Sequence, residues 1–146
     1  MTAQRPDLAA MIVPLGRALV AAEQPILEAH GLTMWAYIVL LALGESSTRG
    51  QGTLAQEIGA DKTRIIAVLD DLQQRGLIER RPDPADRRAR LLTLTPAGAR
   101  LRKAVRADIH AQEERLLSRL PATDRAGFLA ALQTLSALPR AEITGS

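Results

Sequence analysis

Along the N-terminal stretch, apolar side chains recur at Leu8, Ile12, Leu15, Leu19, Ala22 and Ile26, in alternating steps of four and three. That spacing places them on one stripe of an α-helix. Pro14 and Pro25 fall inside the same stretch. Each removes a backbone donor and crowds the preceding turn, so the pattern predicts a helix bent or broken into pieces, ended by Gly31. A second helix is expected over MWAYIVLLAL, capped by Thr33 and stopped at Gly44; it is apolar nearly all round and belongs at the centre of a core. GESSTRGQG reads as a loop. In TLAQEIG, Thr53 and Gln56 have the spacing of a capping box, and Gly59 closes that helix within two turns. Asp61 caps the next helix, where Ile65, Val68, Leu69 and Leu72 fall at i, i+3, i+4 and i+7, with Gly76 at its end.

The period then changes. LIERR and RLLTLT read as two strands, and PDPADRRA between them reads as their turn. A short helix, a tight glycine-containing turn and a longer helix make a helix-turn-helix. Followed at once by a basic hairpin, it makes a winged helix. After the hairpin, Thr95 caps a helix with Pro96 at its first position, where a missing amide hydrogen costs little. This helix carries Leu101, Val105, Ile109, Leu116 and Leu120 and is ended by Pro121. A last helix over about residues 124–138 repeats leucine at 129, 132, 135 and 138, before Pro139 and a polar tail. Neither helix finds a partner within so small a core. Their apolar faces, with that of the first helix, are most simply buried against a second copy of the chain. The expected architecture is therefore mainly α with a small β-hairpin wing, a single domain over residues 1–146. Within it a winged helix-turn-helix core spans 33–98, dimerisation helices span 7–30 and 99–139, and residues 140–146 form a tail.

Composition narrows the chemistry. A chain of 146 residues can bury a real core, yet only Trp35, Tyr37 and Phe128 are aromatic, so Leu, Ile, Val and Ala must fill it. The absence of cysteine excludes disulfides and thiolate metal sites. No basic start is followed by a long uninterrupted apolar segment in the first forty residues, so neither a signal peptide nor a membrane span is expected, and the protein is read as cytoplasmic. His110, Glu113 and Glu114 have helical spacing, with His30 a further nitrogen, but two histidines without cysteine are a poor metal set and exposed helix polarity accounts for them better. No serine or carboxylate pair has a positioned histidine, and no glycine loop suits a phosphate, so neither an enzyme nor a cofactor is expected. Charge, by contrast, is segregated. Residues 75–106 hold ten basic side chains and three acids, a net +7, which leaves −4 for the rest of a chain whose total is +3. Such a field suits a polyanion partner.

The order of these pieces carries a resemblance. LAQEIGADKTRIIAVLDDLQQRGLIERRPDPADRRARLLTLTPAG resembles the DNA-binding core of the MarR family of bacterial transcription regulators, through RGLIERR, DPADRRAR and LTPAG in that order. The resemblance implies double-stranded DNA as partner, an α-helical homodimer built from both termini, and a repressor released by a small aromatic or anionic effector. The family's wing-tip pattern of Asp, any residue, Arg falls on Asp86 and Arg88, which implies Arg88 in the minor groove, where a guanidinium suits the enhanced negative potential. Asp86 would hold the hairpin or its arginine by a charge-assisted hydrogen bond. Arg87 and Arg90 would meet phosphates or solvent, and of Arg80 and Arg81 on the strand at least one should face outward; Arg80 is counted with the DNA-facing set.

The recognition helix would span 62–75, with Lys62, Thr63 and Arg64 in its first turn, Arg64 at a base edge and Thr63 at a phosphate. Ile65 and Ile66 are read as core first, while Gln73, Gln74 and Arg75 lie too far along. Ala67 and Asp71 depart from the family's basic residues and shift weight from this helix to the wing. For the effector, the residues expected to line a cleft are Met11, Leu15, His30, Trp35 and Tyr37. The alternative is a winged helix used for protein contacts or for sequence-tolerant nucleic-acid binding.

Overall fold

The computed structural model describes residues 4–44 and 49–146. The chain divides into two compact units, Met1–Asp108 and Ile109–Ser146. In the first, α1 (Leu8–Ala29) is one continuous helix despite Pro14 and Pro25. The break expected at the prolines does not occur, for a local reason. Each proline frees the carbonyl four residues earlier, on Ala10 and Ala21, and both of those residues are exposed, so water can take the bonds the prolines cannot donate. Within α1 only Leu27 is fully buried, and Leu8 and Ile12 of the expected stripe are more than half exposed. By length and composition α1 is apolar enough to cross a membrane, with a mean hydropathy of 1.3. That qualifies the expectation that no segment would be.

Helix α2 (Met34–Leu43) starts where the Thr33 hydroxyl accepts from the Ala36 amide at 3.1 Å. It buries Ala36, Tyr37, Val39, Leu40 and Leu43 and packs against both helices of the helix-turn-helix and the sheet, the central place expected of it. Of the expected loop at 44–52, residues 45–48 lie outside the described residues. Its end is not loop. Arg49–Gly50 form β1, and α3 (Gln51–Ile58) follows directly with Gly50 as its N-cap and no side-chain cap. Thr53 therefore lies inside the helix, and the capping box with Gln56 is not formed. Pairing of Arg49 and Gly50 with Leu92 and Leu91 hands the chain from strand to helix three residues earlier than a cap at Thr53 would.

Gly59, at φ 72°, takes the left-handed conformation that closes α3 and makes the tight turn. Asp61 then caps α4 (Lys62–Gln74), its carboxylate accepting from the Arg64 amide at 2.7 Å. Gly76, also at φ 72°, turns the chain from α4 into β2 (Ile78–Asp83). β2 pairs antiparallel with β3 (Asp86–Leu94), from Ile78 opposite Leu94 to Asp83 opposite Asp86. The sheet order is β1-β3-β2, so β2 is an edge strand. The turn is shorter than PDPADRRA, because pairing runs out to the tip and leaves only Pro84 and Ala85 between the strands. Pro82 is tolerated at that edge beside an irregularity in register, where its missing donor breaks no inner ladder.

Thr95 links wing and following helix. Its hydroxyl donates to the Gly76 carbonyl at 2.6 Å and accepts from the Gly98 amide at 3.0 Å, capping α5 (Pro96–Leu117) as expected. The core of this unit comprises Leu27, Leu32, Ala36, Val39, Leu40, Leu43, Leu54, Ile65, Leu69, Leu72, Leu77, Ile78, Leu92 and Val105, with Tyr37 its one aromatic member among the described residues. It is otherwise aliphatic, as the composition requires.

The second unit holds the end of α5, α6 (Ala122–Ser136) and α7 (Arg140–Thr144). α5 stops at Leu117, short of the Leu120 expected, and the supposed tail contains the short helix α7. Arg125 on α6 pairs with Glu114 on α5. No residue of α6 is buried, and Phe128, Leu132 and Leu135 are exposed.

Candidate nucleic-acid interface

Helix α4 presents its first turn outward because only Ile65, Leu69 and Leu72 are drawn into the core. Lys62, Thr63 and Arg64 are exposed, as a reading role requires. Ile66 corrects its expectation. Ile65 is 3% exposed and Ile66 45%, since a residue one step on from a core position swings about 100° around the helix, away from the core. Ile66 thus joins the outward face. Its core assignment rested on its neighbour's pattern.

The hairpin divides its arginines into two kinds. Arg80 is turned onto α4, with Nε donating to Gln73 Oε1 at 2.6 Å and the guanidinium paired to Asp70. Only about a fifth of its side chain is exposed. The DNA-facing expectation for Arg80 is therefore corrected: alternation puts Arg80 on the helix side of β2 and Arg81 on the exposed side. Among the described residues no acid pairs with Arg81, Arg87, Arg88 or Arg90, and all four are exposed. The tip is braced by backbone-directed carboxylates. Asp83 Oδ1 accepts from the Ala85 amide at 2.9 Å, and Asp86 Oδ1 from the Arg88 amide at 3.0 Å. Asp86 thus holds the hairpin, one of its two expected roles, and leaves the Arg88 side chain unpaired. These bonds satisfy donors at the turn without neutralising the cations, so the tip keeps its charge outward.

Gln73 and Asp70 were given no site role by the sequence. With Arg80 and Arg90, Gln73 lines a small polar cavity of about 280 Å³ between helix and wing. No periodicity signals such a pair, because its members come from different elements and meet only once the hairpin folds back. Asp71 and Arg75 lie 3.8 Å apart along α4, and Arg75 also donates to the Gly31 carbonyl at 2.8 Å, which accounts for Arg75 inside the first unit rather than on a ligand.

The five residues expected to line one effector cleft are not gathered there. Met11 and Leu15 are exposed on α1, and Tyr37 is buried in the core. His30 Nε2 lies 2.7 Å from Asp108 Oδ2. Trp35 lines an open cleft of about 530 Å³, shared with Thr33, Asp61, Thr63, Arg64, Ala67 and Val68. Helical spacing had placed these residues on neighbouring elements but could not say which way each side chain would turn. Among the described residues no group of three or more His, Cys, Asp or Glu side chains could hold a metal.

Comparison with known proteins agrees with this geometry. A sequence profile described as MarR family matches residues 30–89, from the end of α1 to the wing. The HTH-type transcriptional repressor NicR of Pseudomonas putida is 32% identical over 74 residues, 51% of this chain; the match spans 47%, about half, of the length of that curated relative. A MarR-family transcriptional regulator from a Rhodococcus species superimposes with a TM-score of 0.76 at 28% identity, covering 91% of this chain and 97% of its own. The PcaV regulator of Streptomyces coelicolor, solved in complex with its natural ligand, matches with a TM-score of 0.65 at 28% identity, over 92% of this chain and 97% of its own. Profile, relative, fold and the helix-turn-helix with its basic hairpin coincide on the same residues, and the chain is similar in sequence and fold to the MarR family of winged helix-turn-helix transcriptional regulators.

Proposed function

We propose that the protein is a sequence-specific DNA-binding repressor that acts in the cytoplasm as a homodimer on a pseudo-palindromic operator. The observation that carries this reading is the set of unpaired guanidiniums on Arg81, Arg87, Arg88 and Arg90, in the same unit as the exposed first turn of α4. Lys62 and Thr63 position that turn on phosphates, Arg64 reads a base edge, and Ile66 meets a thymine methyl. Arg88 enters the minor groove, while Arg87 and Arg90 meet the phosphates beside it. The exposed Leu8, Met11, Ile12 and Leu15 on α1, and Phe128, Leu132 and Leu135 on α6, are apolar surface that a second copy would cover, which supports terminal dimerisation helices. A two-fold dimer sets the half-sites about 34 Å apart.

Release by a small aromatic or anionic effector is part of the same proposal, supported by the ligand-bound PcaV neighbour. A coupling of about 1 to 3 kcal/mol between effector and DNA would suffice. Of the five residues first considered for it, Trp35 has the open cleft that such a molecule needs.

Fluorescence anisotropy with duplex DNA from upstream of the protein's own gene, beside a scrambled duplex and over a salt series, tests the reading. Tight binding to the native duplex alone, at two chains per site, is expected. Equal binding to both, with a steep salt slope, would replace it with a sequence-tolerant grip, and no binding to either would favour a protein-contact module.

A further inference from the structure

Trp35 is the only tryptophan in the chain, and it is not in the core. In the first turn of α2, it stands beside five buried neighbours on the same helix and stays half-buried at the wall of the cleft shared with α4. Over its ring, 5.5 Å from the centroid, lies the guanidinium carbon of Arg64. Arg64 needs such a partner. It sits in the first turn of α4, the positive end of the helix dipole, where a cation is disfavoured. The nearby Asp61 carboxylate caps the Arg64 backbone amide, and among the described residues no acid forms an ion pair with its side chain. The electron-rich face of the indole supplies the missing attraction.

We propose that Trp35 is a positioning residue for base recognition, holding the Arg64 guanidinium in place at the start of the recognition helix before DNA arrives. The inference rests on the DNA-reading function proposed above. An unrestrained arginine loses much rotamer freedom when it docks, and ordering it in the free protein removes that cost from the binding step. The ring attracts through its face and forms no hydrogen bond to the guanidinium. The in-plane N–H donors therefore remain for a guanine O6 and N7. Trp35 would thus set base preference from outside the recognition helix, on an element that buries five of its residues in the core.

The test begins with selection of duplexes from a randomised pool by the wild-type protein, followed by affinity measurements on the selected duplex with Trp35→Leu, Trp35→Phe, Arg64→Ala and the Trp35→Leu/Arg64→Ala double variant. Trp35→Leu should bind roughly two- to five-fold more weakly, the factor expected of one exposed cation–π contact. It should relax preference at the same base pair that Arg64→Ala relaxes, and add nothing in the Arg64→Ala background. Trp35→Phe, which keeps an aromatic face, should recover part of the loss. In the free protein, Arg64→Ala should also shift the emission of the single indole, a readout that needs no DNA. A Trp35→Leu loss that persists in full in the Arg64→Ala background would overturn the inference and make Trp35 a structural wall, and an indole emission indifferent to Arg64 would do the same. A consensus selected equally well by wild type and Trp35→Leu sinks this inference alone, whereas a wild-type protein that selects no consensus sinks the DNA-reading function and the inference with it.

Discussion

Arg80 and Arg88 lie on one hairpin with the same side chain and opposite surroundings. Arg80 is tied to Asp70 and Gln73 on α4, and among the described residues no acid pairs with Arg88. Two predictions separate their roles. Arg88→Ala should weaken operator binding by about 1 to 3 kcal/mol, the worth of one well-placed arginine contact, with fold and oligomeric state intact because the side chain is exposed. Unchanged affinity in the anisotropy assay would remove Arg88 from the interface. For Arg80 the diagnostic substitution is on its partner. If Arg80 acts by setting the wing against α4, Asp70→Asn should weaken DNA binding even though it removes a negative charge. If Arg80 touches DNA itself, the same substitution frees it and binding should strengthen. The thermal stability of Asp70→Asn should change little either way, since more than half of the Asp70 side chain is exposed and such pairs contribute at most about 1 kcal/mol.

Between elements, α5 begins hard against the turn that joins α4 to β2. A Cβ added at Gly98 would stand 2.0 Å from the Leu77 carbonyl oxygen and 3.0 Å from its carbon. The same oxygen accepts from the Thr95 amide at 3.1 Å, so it cannot simply swing away. Gly98→Ala should therefore cost at least about 3 kcal/mol, the upper end of overpacking penalties, measured by urea denaturation. A midpoint equal to wild type would show that the contact is not maintained in solution. Element identity was largely legible in the sequence. The caps at Thr33, Asp61 and Thr95 and the closing glycines at 59 and 76 all appear where their side chains, or their lack of one, dictate. The expected cap at Thr53 failed because a distant strand decided the matter. β1 displaced the Thr53 cap by pairing Gly50 with Leu91, a partner far along the chain.

For the whole molecule, the unresolved need is cover for apolar surface. Helix α1 keeps half of its stripe exposed, at Leu8, Ile12 and Leu15, and no residue of α6 is buried. If the terminal helices form the dimer, removing residues 124–146 should leave a chain that sediments as a monomer or fails to fold. A truncated chain that remains a folded dimer would place the interface elsewhere. Full-length protein should also show a salt-dependent affinity for DNA, with log K falling by about 0.9 per phosphate neutralised for each unit of log salt, and the Arg87→Ala slope should be shallower by about one phosphate per chain.

From sequence alone came the class of fold and the segregation of charge, because helix period, capping chemistry and a run of arginine are properties of neighbouring residues. The order of helix, turn, helix and basic hairpin was enough to locate both helices of the helix-turn-helix and the hairpin that follows them. Tertiary structure decided how individual side chains are used. It turned Arg80 inward and Arg81 outward, exposed Ile66 beside buried Ile65, tied His30 to Asp108, and brought Trp35 under Arg64. Each of these outcomes depends on which distant surface a side chain meets when the chain closes, and local spacing holds no record of that surface.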